Sequence, residues 1–147
     1  MAIVLVVDDD PTIRTIAAEL LREERHAIIE AADGDEALRV LDATHAELVV
    51  LDMLMPNRDG LETIMEIRRR HPGVRILAIS SGGSIGVGNL LGMARVFGAD
   101  ETLANVVLPV AVEVVEGNAG QERPGVRGGR RRQAGGRHRP LRYCRWP

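Results

Sequence analysis

The sequence predicts an α/β fold, a doubly wound five-stranded parallel sheet, and three observations carry the prediction. Short aliphatic runs rich in Val and Ile recur through the first two thirds of the chain. Most are apolar throughout rather than alternating, which is the pattern of strands covered on both faces. Segments with helical spacing separate them, and strands alternating with helices in this way form a parallel sheet with helices on both sides.

The elements follow in order. IVLVV (3–7) is the first strand. Asp10 and Pro11 read as N-cap and first helical position. Ile13, Ile16, Ala17, Leu20 and Leu21 then repeat at helical spacing, which predicts an amphipathic helix over 11–24. AIIEAA (27–32) is a short second strand, and DGDEALRVLDA (33–43) a turn and helix with Ala37, Leu38 and Leu41 inward. LVVL (48–51) is the third strand. GLETIMEIRRR (60–70) is a third helix, ended by His71-Pro72-Gly73. VRILAIS (74–80) is the fourth strand, LLGMARVF (90–97) a helix, and ADETLA (99–104) a poorer fifth strand. VVLPVAVEVVEG (106–117) has the spacing of a short helix after Pro109, weakened by its six valines.

The chain divides into a body and a tail. Residues 1–116 carry 10 Arg against 20 Asp and Glu, and residues 117–147 carry 9 Arg against one Glu, so a balance of −10 meets one of +8. Gly, Arg and Pro make up 19 of the last 31 residues, the composition of a disordered segment. We therefore expect one folded domain at 1–116 and a basic tail at 117–147. Aromatics are 2% of the chain, so the core must be aliphatic. The single cysteine, Cys144, excludes an intramolecular disulfide and fits a reducing compartment. MAIVLVVDDD has no basic segment before its apolar run, unlike a signal peptide, and no run approaches the roughly 18 residues a span requires. A cytoplasmic protein without membrane contact is the expectation.

In doubly wound sheets ligands bind beyond the carboxyl ends of the strands. Asp8 and Asp9 end the first strand, Asp52 the third and Ser80 the fourth. An Asp after a strand is commonly a turn residue or a cap, and Asp10 takes that role. Asp8, Asp9 and Asp52 belong together, because the first and third strands of such a sheet commonly lie side by side. Carboxylates that close raise one another's pKa unless a cation intervenes. A hard divalent ion with oxygen ligands, Mg²⁺ above all, is the natural remedy.

VLVVDDDPTIR, LVVLDMLMPNRDG, ILAISSGG and FGADETLA, in this order and spacing, resemble the receiver domain of bacterial two-component response regulators over roughly residues 2–104. The resemblance implies a flavodoxin-like sheet and a phosphoacceptor at Asp52 that takes its phosphoryl group from a sensor histidine kinase or phosphotransfer protein. It implies Mg²⁺ bound directly by Asp9, Asp52 and the backbone carbonyl of Leu54, with Asp8 acting through water. Pro56 and Gly60 would shape the turn before the third helix. Ser80 resembles the switch hydroxyl that bonds the phosphoryl oxygen. The chain would then be a stand-alone receiver rather than an enzyme. It would signal to an unknown downstream protein through the surface of the fourth helix, fifth strand and fifth helix.

The sequence departs from the family where the fifth strand ends. The family's lysine position is Asn105, followed by Val106, and the chain contains no lysine at all. Losing one preorganised cationic donor typically costs about 2.7–4 kcal/mol, or about 10²–10³ in rate. Thr102 stands at the aromatic switch position, and the loop SSGGSIGVGN is longer than usual for the family. Arg95 is a conceivable substitute cation, although its helical place argues against it. These departures leave a second reading, a degenerate receiver that binds partners without regard to phosphate. The basic tail offers a third, nucleic-acid binding through phosphate contacts, but its aromatics are confined to Tyr143 and Trp146. GVGNLLG (86–92) imitates a dinucleotide fingerprint but lacks its spacing and its acidic partner. A phosphatase with an aspartyl nucleophile would want a second Asp where Leu54 stands. His26, His45, His71 and His138 show no ligand spacing, and Met53 and Met55 read as packing residues.

Overall fold

The five apolar runs form one parallel sheet. The computed structural model describes residues 1–55, 60–80 and 87–104. In chain order the elements are β1 (Ile3–Val7), α1 (Pro11–Glu23), β2 (Ala27–Ala31), α2 (Gly34–Ala43), β3 (Leu48–Asp52), α3 (Gly60–Arg70), β4 (Arg75–Ser80), α4 (Val87–Phe97) and β5 (Glu101–Ala104). The sheet order is β2-β1-β3-β4-β5, with every pairing parallel. This is the expected doubly wound sheet, with the first and third strands adjacent. The weak helix after Pro109, the position Asn105 and the tail from 117 lie outside the described residues, as do Pro56 and the loop 81–86.

Strand periodicity sorts the core into two layers. Leu5, Val7, Val49, Leu51, Ile76 and Ala78 point to one face and pack with Leu38 and Leu41 of α2, Ile64 and Ile67 of α3, and Leu91 and Ala94 of α4. Val4, Val6, Leu48, Val50, Leu77 and Ile79 point to the other, where Leu21 of α1 joins them. Each fully buried Leu or Ile contributes about 1.5–3 kcal/mol, which lets an almost purely aliphatic interior serve. Among the described residues, no helix is long and apolar enough to cross a membrane.

Local chemistry sets the helix ends. Asp10 caps α1 by accepting from the N–H groups of Thr12 at 2.8 Å and Ile13 at 3.4 Å, with Pro11 at the first position. Asp33 caps α2 by accepting from Glu36 N–H at 2.8 Å. Two helices close with the double hydrogen bond that requires a left-handed residue. In α4 the N–H of Gly98 (φ +121) meets Arg95 O at 3.2 Å and that of Ala99 meets Ala94 O at 2.8 Å. In α1 the N–H of Arg25 (φ +67) meets Arg22 O at 2.9 Å and that of His26 meets Leu21 O at 3.2 Å.

Besides single-residue differences at the ends of α1 and β2 and at the start of β4, three boundaries differ from those expected. β3 runs on through Asp52, which pairs with Ile79, while Met53 N–H bonds Ile79 O at 2.9 Å. α4 starts at Val87 rather than 90, because Gly88 and Asn89 carry little helical signal of their own. β5 begins at Glu101 rather than 99, since Ala99 completes the α4 cap and Asp100 serves as an anchor. The Asp100 carboxylate accepts from Ile76 N–H at 2.8 Å and from Arg68 Nη2 at 2.6 Å. Arg68 also donates to Gly98 O at 2.7 Å and to Val74 O, so one largely buried guanidinium from α3 gathers the approaches to β4 and β5.

Candidate functional site

The register of the sheet brings the acidic residues together. Val7 of β1 pairs with Leu51 of β3, so Asp8 and Asp52 emerge side by side at the carboxyl edge. One carboxylate oxygen from each of Asp8, Asp9 and Asp52 lies within 4.8 Å of the others. Asp8 and Asp52 are each only 4% exposed, whereas Asp9 reaches solvent. Among the described residues this is the only group of three or more His, Cys, Asp or Glu side chains so placed.

The electrostatics of this cluster are unfavourable as it stands. Burial pushes the Asp52 carboxyl up to about 6. Hydrogen bonds from Leu54 and Met53 N–H work against that rise, while the neighbouring charges of Asp8 and Asp9 add to it. Leu54 N–H donates to Asp52 Oδ1 at 3.3 Å. Asp8 is also raised, first by burial and then by Asp9 and Asp10, against the N–H of Asp10 at 2.9 Å and the charge of Arg14. Among the described residues no basic side chain forms an ion pair with Asp8 or Asp52. Buried carboxylates that hold protons this readily gain most from a hard cation, and a donor set of oxygens alone fits a divalent ion such as Mg²⁺.

Ser80 closes the site on the β4 side. Its neighbour Ile79 pairs with Asp52, so Ser80 stands one residue further along the adjacent strand. It is fully buried, and its Oγ has no hydrogen-bond partner among the described residues. A buried hydroxyl left in that state is rare. Leu54 is 45% exposed at the rim, while Met53 and Met55 are buried in the core, as expected of packing residues.

The other candidates fall elsewhere. Thr102 Oγ1 accepts from Arg95 Nε at 2.9 Å, and Arg95 Nη2 also faces Glu101 at 3.4 Å. Arg95 is thus engaged with two residues of β5. His71 pairs with Asp42 at 2.9 Å, and His26 Nδ1 accepts from Ala2 N–H at 3.3 Å.

Two contributors escaped the sequence reading. Arg14 donates from Nη1 to the Asp8 carbonyl at 2.7 Å. Its signal is its place in the first turn after a strand end, where a side chain leans back toward the residues before the helix. Gly60, expected only to shape a turn, sits so near β3 that a Cβ there would stand 2.8 Å from the Met53 Cα.

Comparison with known proteins places this geometry. Residues 4–103 match the sequence profile of the response regulator receiver domain. The chain is 34% identical over 100 residues to transcriptional regulatory protein CpxR of Klebsiella pneumoniae, an alignment covering 68% of this chain and 41% of CpxR. It is 35% identical over 81 residues to transcriptional regulatory protein GlrR of Escherichia coli K12, covering 55% of this chain and 18% of GlrR. The chain thus spans less than half the length of these relatives. Among solved structures, response regulator TrrA of Thermotoga maritima, in complex with Mg²⁺–BeF, superposes with a TM-score of 0.68 at 31% identity, covering 80% of this chain and 98% of TrrA. A CheY-like receiver domain protein of Methanospirillum hungatei shares the fold with a TM-score of 0.72 at 21% identity, covering 80% of this chain and 92% of that one. A profile match across most of the described fold leads to one conclusion: the chain belongs to the response regulator receiver domain family.

Proposed function

We propose that this chain is a phosphoryl acceptor whose nucleophile is Asp52, and that it receives its phosphoryl group from a sensor histidine kinase or a phosphotransfer protein. The observation that carries this reading is the convergence of Asp8, Asp9 and Asp52 within 4.8 Å at the carboxyl edge, with Asp8 and Asp52 buried. Asp9, Asp52 and the Leu54 carbonyl would hold Mg²⁺ directly, and Asp8 would act through water. When bound, the ion supplies charge neutralisation for a loose phosphoryl transition state. An Asp52 carboxylate oxygen attacks phosphorus, the P–N bond to the donor imidazole breaks, and the imidazole keeps the electron pair. Leu54 N–H orients the nucleophile by donating to Asp52 Oδ1. The Ser80 hydroxyl, which has no hydrogen-bond partner among the described residues, is the group suited to bond the new phosphoryl oxygen and so report its presence.

A second reading has its own support. The chain lacks lysine, and Asn105 stands where the family has one. A degenerate receiver that binds partners regardless of phosphate would tolerate that loss, whereas a working switch would be slowed by it. In either case the output runs through a partner protein, in the cytoplasm. Incubating the protein with Mg²⁺ and acetyl phosphate and measuring intact mass separates the two. Addition of one phosphoryl mass to the protein, and none to an Asp52→Ala variant, supports the acceptor. No addition to either supports the degenerate receiver.

A further inference from the structure

Arg14 lies in the first turn of α1, directly after the strand end that carries the acidic residues. Its Nη1 donates to the Asp8 carbonyl at 2.7 Å, and its Nε faces a Glu30 carboxylate oxygen at 3.4 Å. Glu30, on β2, also accepts from Arg22 at 3.0 Å, so two turns of α1 hold it in place. The Arg14 side chain is 18% exposed.

These contacts fix one peptide. The N–H of Asp8 bonds Ala31 O at 3.2 Å and its carboxylate accepts from Asp10 N–H at 2.9 Å. Arg14 takes its carbonyl, which completes the restraint on the peptide joining Asp8 to Asp9. Among the described residues no hydrogen bond holds the Asp9 carboxylate, so its direction depends on the backbone before it. Rotation of that peptide would swing Asp9 away from Asp8 and Asp52.

We infer that Arg14 is a positioning residue: its hydrogen bond to the Asp8 carbonyl, braced by Glu30, aims the Asp9 carboxylate at a cation shared with Asp8 and Asp52. The inference rests on the magnesium reading given above. Two effects of the guanidinium oppose each other. Its charge repels a divalent ion, so removing it would tighten binding if charge dominated. Its hydrogen bond orients a ligand, so removing it would weaken binding if orientation dominated. Glu30 offsets much of the charge while leaving the hydrogen bond intact, so orientation prevails. Partners that orient metal ligands in this indirect way typically affect affinity strongly.

The test is calorimetric titration of the full chain with Mg²⁺ alone, with metal-free melting temperature and far-UV circular dichroism as controls for folding. Arg14→Met should weaken Mg²⁺ binding roughly 10–100-fold. Arg14→Lys should recover part of the loss, because an ammonium reaches one acceptor but cannot fork between the Asp8 carbonyl and Glu30. Arg22→Met, which loosens Glu30 without touching Asp8, should bind close to wild type. Binding by Arg14→Met that equals or exceeds wild type would overturn the inference, as would an equal loss in Arg22→Met. Failure of the wild-type chain to bind Mg²⁺ is a separate result, and it overturns the metal reading itself.

Discussion

Arg95 on α4 donates to the Thr102 hydroxyl on β5 at 2.9 Å. The last turn of α4 is thereby tied to β5 through a polar contact at the surface. Exposed pairs of this kind are worth roughly 0.2–1 kcal/mol. Arg95→Met should therefore change the melting temperature little, while amide exchange in β5 and the last turn of α4 accelerates. Unchanged exchange would show that the bond restrains nothing.

Stability of the metal-free protein should fall as pH rises. Burial raises Asp52 to about 6 from its ordinary 3.8. Between those values the folded state binds the proton more tightly than the unfolded state, so the favourable contribution present below pH 4 is lost as pH rises through 6. The difference is on the order of 1–3 kcal/mol. Denaturant unfolding of wild type and Asp52→Asn at pH 4 and pH 7 isolates it, because only the wild type loses this contribution. Mg²⁺ at about 100 times its dissociation constant should restore roughly 2.7 kcal/mol to the wild type at pH 7. The same addition should do little for Asp52→Asn. Parallel pH curves for the two proteins would refute the assignment.

Gly60→Ala should disturb the site from outside it. The added methyl would stand 2.8 Å from the Met53 Cα and 2.9 Å from its Sδ. Backbone cannot yield as a side-chain tip can, so the strain falls on the residue next to Asp52. A loss of about 1–3 kcal/mol is expected, accompanied by weaker Mg²⁺ binding. Stability loss with unchanged metal affinity would show that the strain relaxes into α3 instead.

Arg25→Gly should stabilise the protein. Arg25 ends α1 at φ +67, where a side chain costs about 1–2 kcal/mol. The greater freedom of glycine in the unfolded chain returns part of that. A net gain of about 0.5–1 kcal/mol remains, visible as a higher melting temperature. A lower one would mean that the Arg25 side chain makes a favourable contact worth more than the backbone relief.

The legible parts of the molecule were those written in local pattern. β1, β3 and β4 are apolar on both faces, so their runs of Val, Ile and Leu announce them, and the carboxylates or hydroxyl that end each run mark the ligand edge. Asp10 and Pro11 declare a helix start without help from the fold. Gly60 is different, because its need is a tertiary distance to Met53 rather than a turn shape. Arg14 reads as one more solvated arginine until the chain folds and sets it against the Asp8 carbonyl. β5 is short and mixed because Arg68 and the α4 cap take over the residues just before it.

The contacts of Arg68 bear on how the sheet can move. They lie at the amino ends of β4 and β5, across the sheet from the acidic rim, and join α3 to Val74, Gly98 and Asp100. β4 is an interior strand, paired with β3 along Arg75–Ile79 and with β5 along Leu77–Ser80, so with its foot pinned it can shift only in company with its neighbours. A disturbance arriving at Ser80 would therefore be shared among three strands rather than absorbed by one.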